Sequence, residues 1–552
     1  MKHVPDLPKL VRNAGRLNEV LAILAKYGLA EGLAGVQADW LQRHLRSEDG
    51  QTLSDLPQEE RVRLALTDLG PTFVKLGQIL STRADVVGPS LAEELSQLQK
   101  HVPPDDLATV RQRVEEELGA APEVLFAHFD AEALASASIG QVHRATLRDG
   151  TRVVVKIQHD GIRERVRNDL EILRELAKLA ERHSEELARF RPVALVREFE
   201  RSLSAELDFR REKRNLEQFT QNFADDDKAR FPAPHERLCS ARVLTMDFLD
   251  GICVSDSERL EEAGYDREEL ARRGADLFLQ MVFRDGFYHA DPHPGNLMVL
   301  DEAVIGLVDC GMVGRVDEEM ADRVQDFLMA AIDKDARRLA EVVEELGEAP
   351  PDIDRDQLRA DLLDYVAEYG SAQIEDFDLT GALNEMMRIV RTHHIILPAR
   401  VSLLIKMLVM LEGTAQHLSP NFSITELLEH YRQRAVLRRL SPRRVLRRLH
   451  RTQRDWTRLF ESFPRDATDL MARIRKGTFN VHLDHRHLDA VVNRLVVGLL
   501  TAALFLGSST LLDGQVPPLI GDYSLPGVAG MVIAVALGFR LLRAIRHSGD
   551  LE

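Results

Sequence analysis

The spacing of hydrophobic positions changes several times along this 552-residue chain, and each change predicts a different kind of element. Between residues 58 and 99 apolar residues recur every three or four positions, which is typical of packed helices. Pro71 and the Gly88-Pro89 pair interrupt this pattern, so several short helices are expected. Residues 1–35 have scattered charges and no continuous apolar run, so we predict an amphipathic helix there and no signal peptide.

The pattern becomes strand-like in "VHRATL" (residues 142–147) and "RVVVKI" (residues 152–157), and the Asp149-Gly150 pair between them predicts a hairpin turn. A second pair of β-like runs lies around "RVLTMDFLDG" (residues 242–251). Helices are then predicted through residue 314 and on to about Leu428. Strands with an embedded helix, followed by helices, indicate an α+β fold with two lobes rather than regular βαβ alternation.

Two uncharged apolar runs, residues 495–512 and 523–539, close the chain, and each is near the roughly 18 to 20 residues that a bilayer crossing needs. We predict a transmembrane helical hairpin, with a buried helical pair as the alternative. Arginines flank both runs, whereas the connection between them carries only Asp513 and Asp522. The positive-inside rule therefore places the large soluble part in the cytoplasm.

Residues 431–458 are rich in arginine and nearly free of acidic residues, although the chain carries a formal net charge of −17. Such a segment would lie against anionic lipid headgroups, at about 1 kcal/mol per basic residue near the surface; a solvated helix face is the alternative. The overall negative charge argues against nucleic acid as a partner. Three cysteines without metal-site or paired spacing favour a reducing compartment.

The stretch "YHADPHPGN" (residues 288–296) contains the candidate chemistry. Asp291 is followed five residues later by Asn296, and thirteen residues after that by Asp309 in "VDCG". Kinases space a catalytic-loop aspartate, a metal-binding asparagine and a second metal-binding aspartate in this order. Magnesium prefers carboxylate and amide oxygens, which these residues provide. A tight turn with surface histidines is one alternative; zinc binding by His289 and His293 is another, but a proline-flanked loop lacks the helical face of such pairs.

A kinase-like site also needs a strand lysine that reaches the phosphates and is held by a carboxylate. Lys156 in "VVVKI" occupies that place, although a lysine projecting from a strand end is the simpler interpretation. The stretch "ELDFRREKRN" offers Glu206, Asp208 and Glu212 as its partner.

The loop "ALASASIGQ" (residues 133–141) precedes the first strand of the hairpin. A glycine-rich loop brings backbone N–H groups onto phosphates by using positive φ angles, which alanine resists. Nucleotide binding should therefore differ in geometry from that of an ordinary kinase. A small-residue strand is the alternative.

Together these motifs resemble the UbiB/AarF family of atypical protein-kinase-like proteins, which are tied to coenzyme Q biology. "VKLGQ" resembles the family's K-x-G-Q motif, followed by "STRAD"; "ALASASIGQVHRA" resembles its alanine-rich nucleotide loop and "ELD" its E-x-D motif. "HADPHPGN" resembles its catalytic loop and "DCG" its D-F-G, with Cys310 in place of phenylalanine. The match runs from about Leu56 to Leu428, and the predicted C-terminal hairpin is similar too.

Carried over by position, the resemblance implies a role for each matching residue. Lys156 would be the phosphate lysine, Glu212 its partner, Asp291 the catalytic aspartate, and Asn296 and Asp309 the metal ligands. The nucleotide would contact Ala135, Ser136, Ala137, Ser138, Ile139, Gly140, Gln141 and Met246. A helix over the active site would act as a lid built from Lys75, Gln78, Glu206 and Asp208, with Lys75 meeting Glu206.

The resemblance also implies a domain order. A helical extension with the K-x-G-Q motif would span residues 1–125, a kinase-like N-lobe 126–250, a C-lobe 251–430, a basic juxtamembrane segment 431–490 and the transmembrane hairpin 491–545. The expected cofactors are ATP and Mg²⁺, and the expected location is the bacterial inner membrane with the soluble part in the cytoplasm.

The expected function is that of a magnesium-dependent ATPase or a small-molecule or lipid kinase supporting ubiquinone biosynthesis. Its partners would be anionic lipids, polyprenyl-phenol or quinone-pathway molecules, and quinone-biosynthesis enzymes. A pseudokinase scaffold is the alternative, although a scaffold need not keep a complete metal site. An ordinary serine/threonine kinase would need a glycine-rich loop and an A-P-E segment, and the sequence shows neither.

Overall fold

Helices form most of the structure, a computed structural model that describes residues 14–29, 56–98, 102–183, 188–332, 334–351, 353–369, 378–420, 422–424, 427, 488–514, 516–520 and 523–546. The chain divides into two compact units, Met1–Ser441 and Pro442–Glu552. The described residues of the first unit carry the predicted catalytic motifs. Those of the second carry the two apolar runs.

The first unit begins with short helices: α1 (Ala14–Lys26), α2 (Gln58–Leu69), α3 (Pro71–Leu80), α4 (Ala84–Val87), α5 (Pro89–Ser96), α6 (Leu107–Leu118) and α7 (Pro122–Leu125). Gly70 and Gly88 have φ angles of 93° and 89°, which favour glycine, and each is followed by a proline at the first helical position. The predicted breaks are thus confirmed. A Cβ on Gly77 would lie 2.2 Å from Leu98 Cδ1, so close packing explains the glycine of "VKLGQ".

A five-stranded antiparallel sheet follows, built from β1 (His128–Phe129), β2 (Ala135–Ser136), β3 (Gly140–Thr146), β4 (Arg152–Gln158) and β6 (Val243–Asp247). The predicted hairpin at Asp149-Gly150 joins β3 to β4, and Gly150 has a φ angle of 89°. Val155 and Ile157 on β4 pack in one core cluster with Val110 of α6. Because side chains alternate along a strand, Lys156 projects from the opposite face.

Between β4 and β6 the chain forms α8 (Ile162–His183), α9 (Pro192–Glu206), α10 (Phe209–Asn222) and β5 (Ala229–Arg230). Later in the first unit the described residues form α11 (Ser257–Glu262), α12 (Arg267–Gln280), α13 (Glu318–Ile332), α14 (Ala336–Leu346), α15 (Arg355–Tyr369), α16 (Leu379–Thr392) and α17 (Ala399–Leu418). A large core cluster unites these helices with α10 and β6. The mixed α+β composition is therefore confirmed.

The prediction of helices through residue 314 is wrong in one respect. Short strands lie there: β8 (Phe287–His289), β9 (Leu297–Val299), β10 (Ile305–Leu307) and β11 (Val313–Arg315), and β7 (Ile252–Cys253) precedes them. They form the sheet β5–β10–β9–β7 and the pair β11–β8. Runs of three residues are too short to show a strand period, and their pairing is set by distant partners. Beyond α17, the described residues Ile424 and Leu427 are helical, which agrees with the prediction of helices to about Leu428.

The second unit contains α18 (Leu488–Asp513), the short strands β12 (Leu519–Ile520) and β13 (Tyr523–Ser524), and α19 (Leu525–Arg546). The helices pack antiparallel: a Cβ on Gly530 would lie 2.2 Å from Ser508 Oγ, and Gly538 lies opposite Thr501. One stretch of α18, Val496–Asp513, is long and apolar enough to cross a membrane, and a shorter apolar stretch spans Leu525–Arg540.

The predicted domain boundaries stay predictions. The basic juxtamembrane segment lies outside the described residues except for positions 488–490. The described part of the predicted N-terminal amphipathic helix forms α1.

Candidate active site

The site is built around Lys156, which projects from the middle of β4 between Val142 on β3 and Leu244 on β6. Its Nζ atom lies 2.8 Å from Glu212 Oε2 and 3.6 Å from Asp309 Oδ1. Its side chain is largely buried. A cation therefore sits on the inner face of the sheet beside two carboxylates that are distant in sequence.

Of the three carboxylates that the sequence offered as partners of Lys156, Glu212 makes the contact. Asp208 instead caps α10, because its Oδ1 accepts a hydrogen bond of 3.2 Å from the Arg210 backbone N–H. Its carboxylate also accepts from the Arg210 guanidinium. A cap of this kind stabilises a helix by about 1 kcal/mol. It fixes the start of the helix whose first turn carries Glu212.

The three charged groups shift one another's pKa values. Burial raises the pKa of Glu212 to about 7; Asp309 adds to the rise, whereas Lys156 opposes it. Burial acts to lower the pKa of Lys156, but Asp309 and Glu212 outweigh it and hold that pKa above its ordinary value. Lys156 is thus cationic at neutral pH. The two carboxylates repel each other, which favours a cation between or beside them.

The predicted catalytic loop begins where β8 ends, at His289. Asn296 Nδ2 donates a hydrogen bond of 3.0 Å to Asp291 Oδ2, so the two predicted residues are in contact. His289 Nδ1 accepts from the Asp291 N–H at 3.2 Å, and its Nε2 contacts the Asp309 carbonyl oxygen. His293 Nδ1 accepts from the Gly295 N–H at 3.0 Å. The histidine rings therefore brace the loop backbone.

Asn296 and Asp309 are brought together by the pairing of β9 with β10. Leu297 lies opposite Leu307, and the Val308 N–H donates to the Asn296 carbonyl oxygen at 3.1 Å. Since Asn296 Nδ2 is used by Asp291, its Oδ1 is left without a donor among the described residues. The Asp309 side chain is 44% exposed, which leaves its carboxylate accessible.

This pair of oxygen donors fits magnesium. Magnesium sites in phosphotransferases use one or two protein ligands together with substrate phosphates. Within the described ranges, no group of three or more His, Cys, Asp or Glu side chains is arranged to hold a metal ion.

The alanine-rich loop forms the turn from β2 into β3. A Cβ on Gly140 would lie 2.4 Å from the Ile157 carbonyl oxygen, so this position requires glycine because the backbones of β3 and β4 approach closely. The Ala137 N–H donates to the Gly140 carbonyl oxygen at 2.9 Å and closes the turn. Met246 is buried on β6, opposite Val154 of β4.

The lid residues of the sequence analysis are only partly brought together. Lys75 Nζ on α3 lies 2.6 Å from Glu206 Oε2 at the end of α9, and both side chains are nearly buried. The charge of Glu206 also helps to raise the pKa of Lys156. Gln78 Nε2 donates instead to the Leu98 carbonyl oxygen at 3.4 Å. Asp208 is occupied by Arg210, as described above.

Sequence reasoning missed a buried ion pair that anchors the "STRAD" segment. Arg83 binds Asp85 through two hydrogen bonds of 3.0 and 2.8 Å, and its Nη1 lies 3.1 Å from Glu198 Oε2 on α9. Arg83 also donates to the Leu397 carbonyl oxygen, while Asp85 accepts from Ser402 on α17. The "STRAD" motif drew attention to Arg83 and Asp85, but the sequence did not show which distant residues they contact.

We expect Arg83→Leu to lower the thermal midpoint of the protein by roughly 5–10 °C, because breaking a buried pair strands the carboxylate of Asp85. The control is Arg111→Leu, which removes a half-exposed pair with Glu123 and should have little effect. Equal midpoints for the two variants, measured by scanning fluorimetry in detergent, would contradict the anchoring role.

Comparison with protein families matches three stretches of the chain. Residues 97–343 match the ABC1 atypical kinase-like domain, residues 362–423 the UbiB helical domain, and residues 482–547 the ABC1/UbiB kinase-like C-terminal domain. The first of these contains the alanine-rich loop, Lys156, Glu212 and the catalytic loop.

Curated relatives cover most of the chain. The "Uncharacterized protein in hydrogenase 1 5'region" of Clostridium pasteurianum is 30% identical over 97% of this chain and 99% of that protein. The "Probable protein kinase UbiB" of Pseudomonas paraeruginosa is 36% identical over 71% of this chain and 74% of that protein. A solved complex of Rv3197 with erythromycin from Mycobacterium tuberculosis shows 24% identity and a TM-score of 0.43, covering 64% of this chain and 90% of that one.

Proposed function

This chain belongs to the UbiB/ABC1 family of atypical kinase-like proteins, and on that premise we propose that it is a membrane-anchored, magnesium-dependent ATPase or a kinase of small or lipid-soluble molecules. The pathway that it serves in this proposal is ubiquinone biosynthesis. The observation that supports the proposal best is the buried Lys156 beside Glu212 and Asp309. Burying these charges is costly, and a phosphate ligand with its metal makes use of all of them.

The nucleotide would bind between a lobe formed by the five-stranded sheet and a lobe formed by the helices after it. Lys156 would bind its phosphates, with Glu212 fixing the lysine's direction. Asn296 Oδ1 and the Asp309 carboxylate would hold Mg²⁺, which when bound offsets phosphate charge. Asp291, which accepts a hydrogen bond from Asn296, would orient the attacking hydroxyl or water and receive its proton.

We propose a small molecule, not a protein, as the acceptor, and the reason is the ion pair between Lys75 and Glu206. It ties α3 to α9 next to Lys156, where a peptide substrate of a protein kinase would need open access. A polyprenyl-phenol is slender and membrane-soluble, which suits an acceptor of a membrane-anchored protein.

Membrane anchoring rests on the second unit. Many large apolar side chains of α18 and α19 face outward, among them Leu499 and Phe539, which are each 71% exposed. Such a surface is stable in lipid but not in water. With the arginines on its flanks, the pair of helices would cross the bacterial inner membrane and leave the kinase-like part in the cytoplasm. Anionic lipids and quinone-biosynthesis enzymes would be its partners there.

The topology predicts a labelling pattern in intact cells. A cysteine at Val516, in the connection between the helices, should react with an impermeant thiol reagent added from outside. A cysteine at Ser548 should not react until the cells are opened. The unmodified chain, whose described cysteines lie in the first unit, is the control and should stay unlabelled. The reverse pattern would reject the orientation, and release of the chain by carbonate would reject the span.

Lys75 and Glu206 should act as one unit in a double-mutant cycle. Lys75→Ala and Glu206→Ala are each expected to change nucleotide turnover, and the double variant should resemble the worse single one, since either change already breaks the pair. Arg111→Ala, which removes an exposed ion pair, is the matched control. Strictly additive effects in turnover would mean that the two residues act independently and that there is no lid held by this pair.

The products of a reaction with γ-labelled ATP would separate the candidate activities. The purified chain in anionic vesicles with a polyprenyl-phenol should release labelled inorganic phosphate as an ATPase, or transfer the label to the solvent-extractable phenol as a kinase. Label in neither fraction, from a folded protein that binds nucleotide, would support a scaffold and contradict the proposed catalysis.

A further inference from the structure

A buried histidine, His159, contacts the alanine-rich loop and is not one of the proposed catalytic or metal-binding residues. His159 follows β4 directly, three residues after Lys156, and is 7% exposed. Its Nε2 lies 2.9 Å from the Ala137 carbonyl oxygen and 3.4 Å from Ser136 Oγ. A carbonyl oxygen only accepts hydrogen bonds, so Nε2 carries the hydrogen in the contact with Ala137.

The other side of the ring is held by Asp105. His159 Nδ1 lies 3.2 Å from Asp105 Oδ2, in a contact whose geometry does not make a hydrogen bond. That carboxylate is fixed in turn by the Asp160 N–H, at 3.0 Å. The Asp105 backbone N–H donates to Gln141 Oε1 at 2.6 Å. The histidine is therefore clamped between the segment before α6 and the nucleotide loop.

The contact with the carbonyl sets the direction of a whole peptide unit. In a planar trans peptide the C=O and the following N–H point in opposite directions. Because the Ala137 oxygen points at His159, the Ser138 N–H points away from the ring. The amides of Ser138 and Ile139 make no hydrogen bond within the part of the chain that the structure describes. Ser138 is itself buried, and an unpaired donor there is costly unless a ligand takes it.

We propose that His159 is a positioning residue for the nucleotide phosphates: by holding the Ala137 carbonyl it removes an oxygen from the phosphate side of the loop and presents the Ser138 amide there. The inference rests on the proposed function, since it names how that same site holds phosphate. A glycine-rich loop would reach this orientation through positive φ angles. This loop, which has alanine and serine at its tip, reaches it through a side chain.

The test is direct binding of MgATP and of adenosine to the full-length chain in nanodiscs, by calorimetry. His159→Leu should weaken MgATP binding about tenfold, which is the effect of losing one hydrogen bond from the Ser138 amide to a charged phosphate. The affinity for adenosine, which has no phosphate, should change by less than about twofold. His159→Gln should restore most of the MgATP affinity, because its side-chain N–H can donate to the Ala137 carbonyl. The matched control is His393→Leu, which removes another buried histidine paired with a carboxylate, Asp361 on α15.

Unchanged MgATP affinity in His159→Leu, or an equal loss for MgATP and adenosine, would overturn the inference, because a loosened sheet weakens both ligands alike. If His159→Leu does not fold, the variant Asp105→Asn is measured instead. We expect its affinity for MgATP, but not for adenosine, to fall threefold or more. If the affinity for MgATP does not fall selectively, the inference is overturned. Failure of the unmodified chain to bind MgATP would instead reject the proposed function, a result that is recognised before any variant is made.

Discussion

Replacing Asp309 by asparagine is expected to lower magnesium-dependent nucleotide turnover by at least about a hundredfold, since a metal ion supplies several kcal/mol of charge stabilisation. The change keeps the size of the side chain. It also keeps an oxygen that can accept the hydrogen bond of 3.0 Å from the Gly311 N–H. The local fold should therefore survive, while the charge that faces Lys156, and that would face the proposed metal, is lost.

The control for this variant is Asp301→Asn, an exposed aspartate in the turn between β9 and β10. Its turnover should equal that of the unmodified chain. Thermal midpoints of both variants would establish that they are folded. Turnover of Asp309→Asn within a few fold of the unmodified protein, at saturating magnesium, would refute the metal assignment.

Replacing Lys156 by methionine is expected to abolish high-affinity nucleotide binding. We expect it to reduce turnover at least about a hundredfold, as for Asp309→Asn. Lys156 is the cation that two carboxylates hold on the inner face of the sheet, and methionine fills the space without the charge. Without it, the pKa of Glu212, already raised by burial to about 7, should rise further because Lys156 opposes that rise. Glu212 then becomes neutral, which limits the loss of stability.

Lys213→Met is the matched control, because Lys213 lies next to Glu212 on α10 and is paired with Glu217 and Glu236 at 3.3 and 3.2 Å. It removes the same charge from α10, where the lysine is paired with Glu217 and Glu236 and not with the carboxylates of the site. Nucleotide affinity, measured by calorimetry, should fall for Lys156→Met and remain unchanged for Lys213→Met. Equal affinities in the two variants would show that Lys156 does not bind the phosphates.

Local features of the sequence predicted the sheet around the site. The Asp149-Gly150 turn and the valine-rich "RVVVKI" run indicate the hairpin of β3 and β4, from which Lys156 projects. The spacing of Asp291 and Asn296 likewise placed both residues in one loop, and the structure shows them in contact there. Features of this kind depend on neighbours in sequence, so they can be derived from it.

Long-range features were less accessible. The spacing alone left three candidate partners for Lys156. The family resemblance implied Glu212, and the packing of α10 against the sheet brings Glu212 into contact with the lysine. The short strands β8 to β11 were missed, since three buried residues carry no period. The Arg83–Asp85 anchor was missed because its ligands on α9 and α17 lie more than a hundred residues away. In contrast, the pairing of Lys75 with Glu206 came from the family resemblance, not from the pattern.

The central claim, that the cluster of Lys156, Glu212, Asn296 and Asp309 handles nucleotide phosphates with magnesium, is tested most directly by ATP turnover of the purified full-length chain in anionic vesicles. Turnover is measured with magnesium, with a chelator, and with a polyprenyl-phenol added. We predict turnover that requires magnesium, rises with the phenol and disappears in Asp309→Asn. The account would be contradicted if the folded, unmodified chain showed no more turnover than Asp309→Asn under every one of these conditions.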